Sequence, residues 1–171
     1  MTPGQISTVQ RAYGFLFPTS LADFYSCGVP MPKSPISDFP DWWNFDPQNV
    51  SDIKKRISDP MENLVEKVKE GFWINAWGER PENDEDAFAI FKSHAEKAPK
   101  LIPIYSHRYI PVIEGVDDPP VISAVGQDII YYGCNLSNYM KNEFVGFTEP
   151  IDHGKIIRIP FWSDIIDNFL I

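Results

Sequence analysis

Four short apolar runs in the middle of the chain, at residues 101–105, 109–113, 121–125 and 129–132, restrict its fold more than any other feature. Each is rich in β-branched and aromatic residues and is bounded by Pro, Gly, Ser or Asp. Runs of about five such residues are too short for a free-standing helix and suit strands. Only Ser106, His107 and Arg108 separate the first two, which predicts a hairpin. The acidic stretch 114–120 (EGVDDPP) joins the second to the third. After Tyr132 the period changes: Leu136, Tyr139, Met140 and Phe144 fall on one helical face, with Asn135 placed to cap it. A β-meander closed by a helix is therefore expected to be the centre against which everything else packs.

A chain of 171 residues, 43% hydrophobic and 14% aromatic, can fill one core and fits one domain. Fifteen basic residues stand against 24 acidic ones, a formal net charge of −9. Such a surface repels phosphate backbones and anionic membranes, which argues against direct nucleic-acid or membrane binding and leaves a basic protein as the natural partner. Solubility alone is the plainer explanation of the same charge. Cys27 and Cys134 form no ligand-spaced pair; one disulfide between them is the alternative to the expected two buried, reduced thiols. The first residues carry no signal-peptide core, and no window is apolar for long enough to span a bilayer. A cytoplasmic protein is expected.

Taken in order, residues 1–16 carry weak structural signals, with Phe15, Leu16 and Phe17 as an apolar anchor. A short helix follows Pro18, with Thr19 or Ser20 as cap, Leu21, Phe24 and Tyr25 as its apolar face, and Gly28 just beyond it. Six prolines from Pro30 to Pro60 break up the next stretch; within it Asp41–Phe45 carries too much aromatic area to lie free. Val50, Ile53 and Ile57 support one or two helical turns before Pro60. Met61, Leu64, Val65 and Val68 mark an amphipathic helix ended by Gly71. The aromatic run 72–78 reads as a strand or turn, and acids then precede a helix through Ala87, Phe88, Ile90 and Phe91. Residues 155–159 read as a strand and 165–170 as a last short helix, with 146–154 as a connecting loop.

Motifs for chemistry are sparse. Ser106 and His107 are adjacent, with Asp128 available across the sheet, but neighbours on a strand point to opposite faces and are not expected to pair. His94, His107 and His153 show no metal-ligand spacing, and neither phosphate-cradle glycine pattern is present, so neither metal nor cofactor is expected. A glycosidase-like pair such as Glu79 with Glu114 can be drawn, as it can in any chain with 24 acids. Trp73 and Trp77, or Trp42 and Trp43, suit an aromatic cage; core packing is the commoner use of tryptophan.

With these segments laid out, the chain resembles the SUKH superfamily, which includes Smi/Knr-type cell-wall regulators and many bacterial immunity proteins. The phrases that carry the resemblance are FWINAWGERP at 72–81, PKLIPIYSHRYIP at 99–111 and PPVISAVGQDIIYYGCNLSNYMKNEF at 119–144, supported by FPTSLADFYSCG at 17–28 and IPFWSDII at 159–166. The resemblance implies a single α+β domain over 1–171, with a mixed, mainly antiparallel sheet and helices packed on it. It also implies a non-enzymatic role: neutralising a toxin, commonly a nuclease, by binding it in the cytoplasm, or acting as a signalling scaffold. Trp73, Trp77, Arg80, His107, Arg108 and Tyr109 stand at signature positions, most of them structural, and Gln127 and Asp128 where the group tends to be polar.

The leading expectation is an immunity protein that imitates a polyanion to a basic toxin. Its candidate contacts are Glu82, Asp84, Glu85 and Asp86 in one cluster and Glu114, Asp117 and Asp118 in another. A scaffold that holds an extended peptide in an aromatic groove is the alternative. A small-molecule enzyme would instead need a pocket lined by His107, Asp128 and Tyr131 or Tyr132.

Overall fold

The computed structural model of the chain describes residues 1–30, 38–146 and 149–169. Four strands form one sheet in the order of the sequence: β1 (Leu101–Tyr105), β2 (Arg108–Pro111), β3 (Val121–Val125) and β4 (Asp128–Gly133). Every pairing is antiparallel, so the expected meander is present without the parallel component that a mixed sheet would carry. The β3–β4 turn is two residues long, and Gly126 supplies the positive φ of 60° that its first position needs.

Period-two alternation divides the core between the two faces of the sheet. Ile102, Ile104, Ile110 and Tyr132 join a cluster with Val9, Leu21, Tyr25 and Trp42, under helices α1 (Pro3–Tyr13) and α2 (Thr19–Cys27). Leu101, Tyr109, Ile122, Ala124 and Ile129 join the other, under α4 (Asp84–Ala95) and α6 (Trp162–Asn168). A long helix, α3 (Pro47–Lys69), serves both clusters: Ile53 packs in the first, Leu64 and Val68 in the second. The closing helix α5 (Leu136–Met140) lies against β4 at Gly133. A Cβ there would stand 2.8 Å from that of Tyr139, so glycine is required by close approach.

Several expectations need correction. Residues 1–16 are not weakly structured. Thr2 and Gln5 cap each other's backbone, Pro3 opens α1, Gly14 closes it, and Ile6, Val9 and Tyr13 are buried. Nor does the helical signal stop at Pro60. Asp46 caps α3 and Pro47 opens it, and the helix runs through Pro60 for 23 residues. An interior proline removes one helical N–H, and burial of Pro60 among the core residues holds the chain on course. Residues 155–159 are not a strand; a 3-10 turn, His153–Lys155, precedes an irregular run. In the run 72–78 the regular piece is a 3-10 turn, Asn75–Trp77. Of the aromatics at 41–45, Trp42 is fully buried and its indole N–H donates to the Tyr25 hydroxyl at 2.9 Å, whereas Trp43 and Phe45 face outward. Pro32, Pro35 and Leu170, assigned from sequence to the proline-rich stretch and the last helix, lie outside the described residues.

Candidate functional site: an acid-edged groove between two helices

Trp73, Trp77, Arg80, Arg108 and Tyr109 fall into two groups. Trp73, Trp77 and Arg80 knot the 3-10 turn onto α4. Trp77 is buried with its ring parallel to Phe161 at 6.0 Å, Trp73 donates its indole N–H to the Gly78 carbonyl, and Arg80 lies over the Trp73 ring while donating to Asp84 at 2.6 Å. Arg108 stacks on Tyr132, 3.7 Å from the ring centre, and donates to Ser123 at 3.2 Å. Tyr109 is buried on the opposite face.

His107 sits in the β1–β2 turn beside Ser106, whose φ is 46°. Because both residues lie outside the strands, the face-alternation rule does not apply to them. Their side chains do meet, with Ser106 Oγ 3.1 Å from His107 Nδ1, contrary to the expectation from adjacency. Burial, and next the neighbouring Arg108, lower the His107 pKa below its usual value. Asp128 is exposed at the start of β4, and among the described residues no hydrogen bond joins it to this pair. Among the described residues no carboxylate is hydrogen-bonded to the ring, the contact that orients the base in a nucleophilic triad. Tyr131 and Tyr132 diverge, the first to Ser163 on α6 at 2.6 Å and the second to Arg108. Among the described residues no three His, Cys, Asp or Glu gather as a metal cluster, and no helix is long and apolar enough to cross a membrane.

The two acidic clusters belong to different parts of the molecule. Glu82, Asp84, Glu85 and Asp86 are exposed at the start of α4, where Asn83 caps the helix and the carboxylates face its positive end. Glu114, Asp117 and Asp118 lie in the β2–β3 loop beside α2 and α5. This loop is pinned at Asp117 and Asp118. Thr19 donates to Asp117 Oδ1 at 2.5 Å, and the Ser20 N–H donates to the Asp117 carbonyl at 2.9 Å. Asp118 Oδ1 accepts the Leu136 N–H at 3.3 Å. Thr19 and Ser20 are thus not the caps of α2 that their position suggests; the first turn of that helix is tied down by Asp117 instead.

Next to this loop opens a cavity of about 360 Å³ between α2 and α5. Phe24, Leu136, Met140 and Val145 make its apolar lining, and Asp23 and Asp118 stand along its edge. Val145 is 61% exposed, and Cys27, expected from the sequence to be buried, is a free thiol exposed at the lip, while Cys134 is half-buried. Lys141 is the cation of this lining and is within 3.5 Å of Glu149. Sequence reasoning found the acids of the loop and missed the groove, because its walls come from segments more than a hundred residues apart. The one hint was the spacing of Leu136 and Met140, which marks one helical face.

Comparison with protein-family models, with curated proteins and with solved structures finds no match.

Proposed function

We propose that this chain is a binding protein of immunity type. It holds a basic toxin domain, of nuclease kind, in a stoichiometric complex in the cytoplasm, and makes or breaks no bond itself. The SUKH resemblance suggests the class. The observation that carries the reading is the placement of fixed loop carboxylates beside an apolar groove, on a molecule of net charge −9. Enzymes that act on nucleic acids must hold phosphates, so they present cationic surfaces. An acidic partner accelerates capture of such a surface, and an apolar contact slows its release.

The test is co-expression with basic nuclease domains, beginning with toxic domains encoded beside this gene. Survival of cells that carry the chain, together with a one-to-one complex on size-exclusion chromatography, is expected. If no nuclease is inhibited, or if the chain protects at far below one molecule per toxin, the reading is wrong.

A second reading is a regulatory scaffold of the same fold, and the exposed pair Trp43 and Phe45 favours it. Their rings meet edge to face at 5.6 Å, 45% and 42% exposed, on the stretch Asp41–Asp46. A scaffold of this kind loses partner binding when Trp43 is replaced by serine, whereas the toxin reading locates the loss at the groove.

A further inference from the structure

We infer that the groove between α2 and α5 is the seat of a cationic amphipathic helix of the partner, which inserts apolar side chains between Phe24 and Met140 and lays lysines or arginines against Asp23, Asp117 and Asp118. The inference rests on the binding role proposed above and names the segment of the partner that makes the contact.

Three features select this occupant. First, the walls are helices, and the groove offers no unpaired strand edge, so an extended peptide cannot add to the sheet here; recognition by the i, i+3, i+4 face of a helix remains. Second, a volume of about 360 Å³ lined by Phe24, Leu136, Met140 and Val145 takes large apolar side chains. Third, an acid of the edge is tethered: Asp118 accepts the Leu136 N–H, and Asp117, its neighbour in the loop, accepts the Thr19 hydroxyl. Fixed anions beside an apolar slot complement a helix with an apolar stripe and cationic flanks. A second copy of this chain is a poor occupant, because two molecules of net charge −9 repel.

The probe is a fluorescein-labelled, 18-residue helical peptide of leucine and lysine, compared with a scrambled peptide of the same composition and with its glutamate-for-lysine counterpart. Anisotropy titrations are run on the intact chain and on three variants: Val145→Glu, Asp23→Lys, and the distal double reversal Glu82→Lys with Glu85→Lys. Val145 and Asp23 are exposed, so these variants keep the fold, which circular dichroism and a melting curve verify. The lysine peptide is expected to bind, and neither control peptide to match it. Val145→Glu should weaken binding severalfold, as loss of an apolar contact at the lip does. Asp23→Lys should weaken it severalfold and flatten its salt dependence, whereas the distal reversal should change it less than about twofold. A bromoacetyl group on the peptide should alkylate Cys27, with the thiolate displacing bromide, and mass mapping reads the adduct.

Equal binding of the scrambled peptide, or a distal reversal as damaging as the local ones, overturns the inference, since net charge alone then explains the contact. A dimer of the free chain that Val145→Glu dissolves overturns it in favour of a second copy. A Val145→Glu, Asp23→Lys chain that has lost the peptide yet still protects against a nuclease places the partner elsewhere and leaves the immunity role intact. A chain that binds the peptide at Cys27 but protects against no nuclease keeps the groove assignment and overturns the role.

Discussion

Phe161 occupies a backbone conformation that side chains avoid, with φ 68° and ψ −55°, and the Trp162 N–H closes the turn on the Pro160 carbonyl at 2.8 Å. A non-glycine residue at positive φ costs on the order of 1–3 kcal/mol, and the ring of Phe161, buried against Trp77 and Phe91, holds it there. Phe161→Ala should destabilise the fold by about 3 kcal/mol in urea denaturation. Phe161→Gly should cost less than Phe161→Ala, the reverse of the usual order, because glycine removes the strain along with the ring. A glycine variant weaker than the alanine one would mean that the turn is not strained. Gly133→Ala is expected to cost about 1–3 kcal/mol by forcing β4 away from Tyr139, read in the same assay. His107 carries a pH dependence. Burial, then Arg108, lower its pKa; Glu143, Asp38 and Asp128 oppose them without restoring it. The folded state therefore holds this proton more weakly than the unfolded chain, whose value is about 6.5. The neutral ring contributes stability that is full above ~6.5 and is lost as pH falls through the lowered folded value. Its NMR titration should inflect below ~6.5, and His107→Gln should flatten the stability profile from about pH 7 to pH 5.

Helix α3 joins the two faces of the core, and Arg56 joins α3 to the sheet. Its guanidinium donates to the carbonyls of Asp38 and Ser106, each at 3.0 Å, and so holds the β1–β2 turn that carries His107. Burial lowers the Arg56 pKa, the mark of a charge drawn out of water and held by carbonyl dipoles. Replacing it with methionine removes this donor from both carbonyls, although that of Asp38 keeps the Ser106 N–H at 2.9 Å. A loss of about 2 kcal/mol is expected, with faster amide exchange at the turn than elsewhere in the sheet. Elements whose stability comes from within were legible. The strand pattern of 101–132, Asn135 as a cap, and the helical faces through Met61 and through Ala87 all appear where periodicity puts them. Elements decided by packing were not. Pro60 reads as a stop, yet its helix continues, because Ile53 and Leu64 on either side bury against the same sheet. Residues 155–159 are rich in isoleucine and read as a strand, but they do not pair with the sheet. The missed α1 had its signal in plain view, Thr2-Pro3-Gly4-Gln5, a capping box obscured by two residues that usually break helices.

The charge of the whole molecule sets how it meets a partner. With 24 acids against 15 bases, its field attracts cations at long range and is screened over about 8 Å at physiological salt. Association with a basic partner is therefore expected to slow steeply with added salt in stopped-flow measurement. Reversing charges in the cluster that faces the partner should flatten that dependence and leave the dissociation rate nearly unchanged. A rate indifferent to salt would remove steering from the account. Composition and residue order by themselves determined the sign of that field, the β-meander and most of the helices that cover it, because alternation, capping and net charge are local or additive properties. Only the tertiary structure decided which acids stand beside an apolar groove, how α3 passes through its proline, and that Ser106 and His107 meet. The first two depend on distant segments being brought within a few ångströms, a distance no spacing along the chain encodes; the third depends on the positive φ that Ser106 takes in the turn.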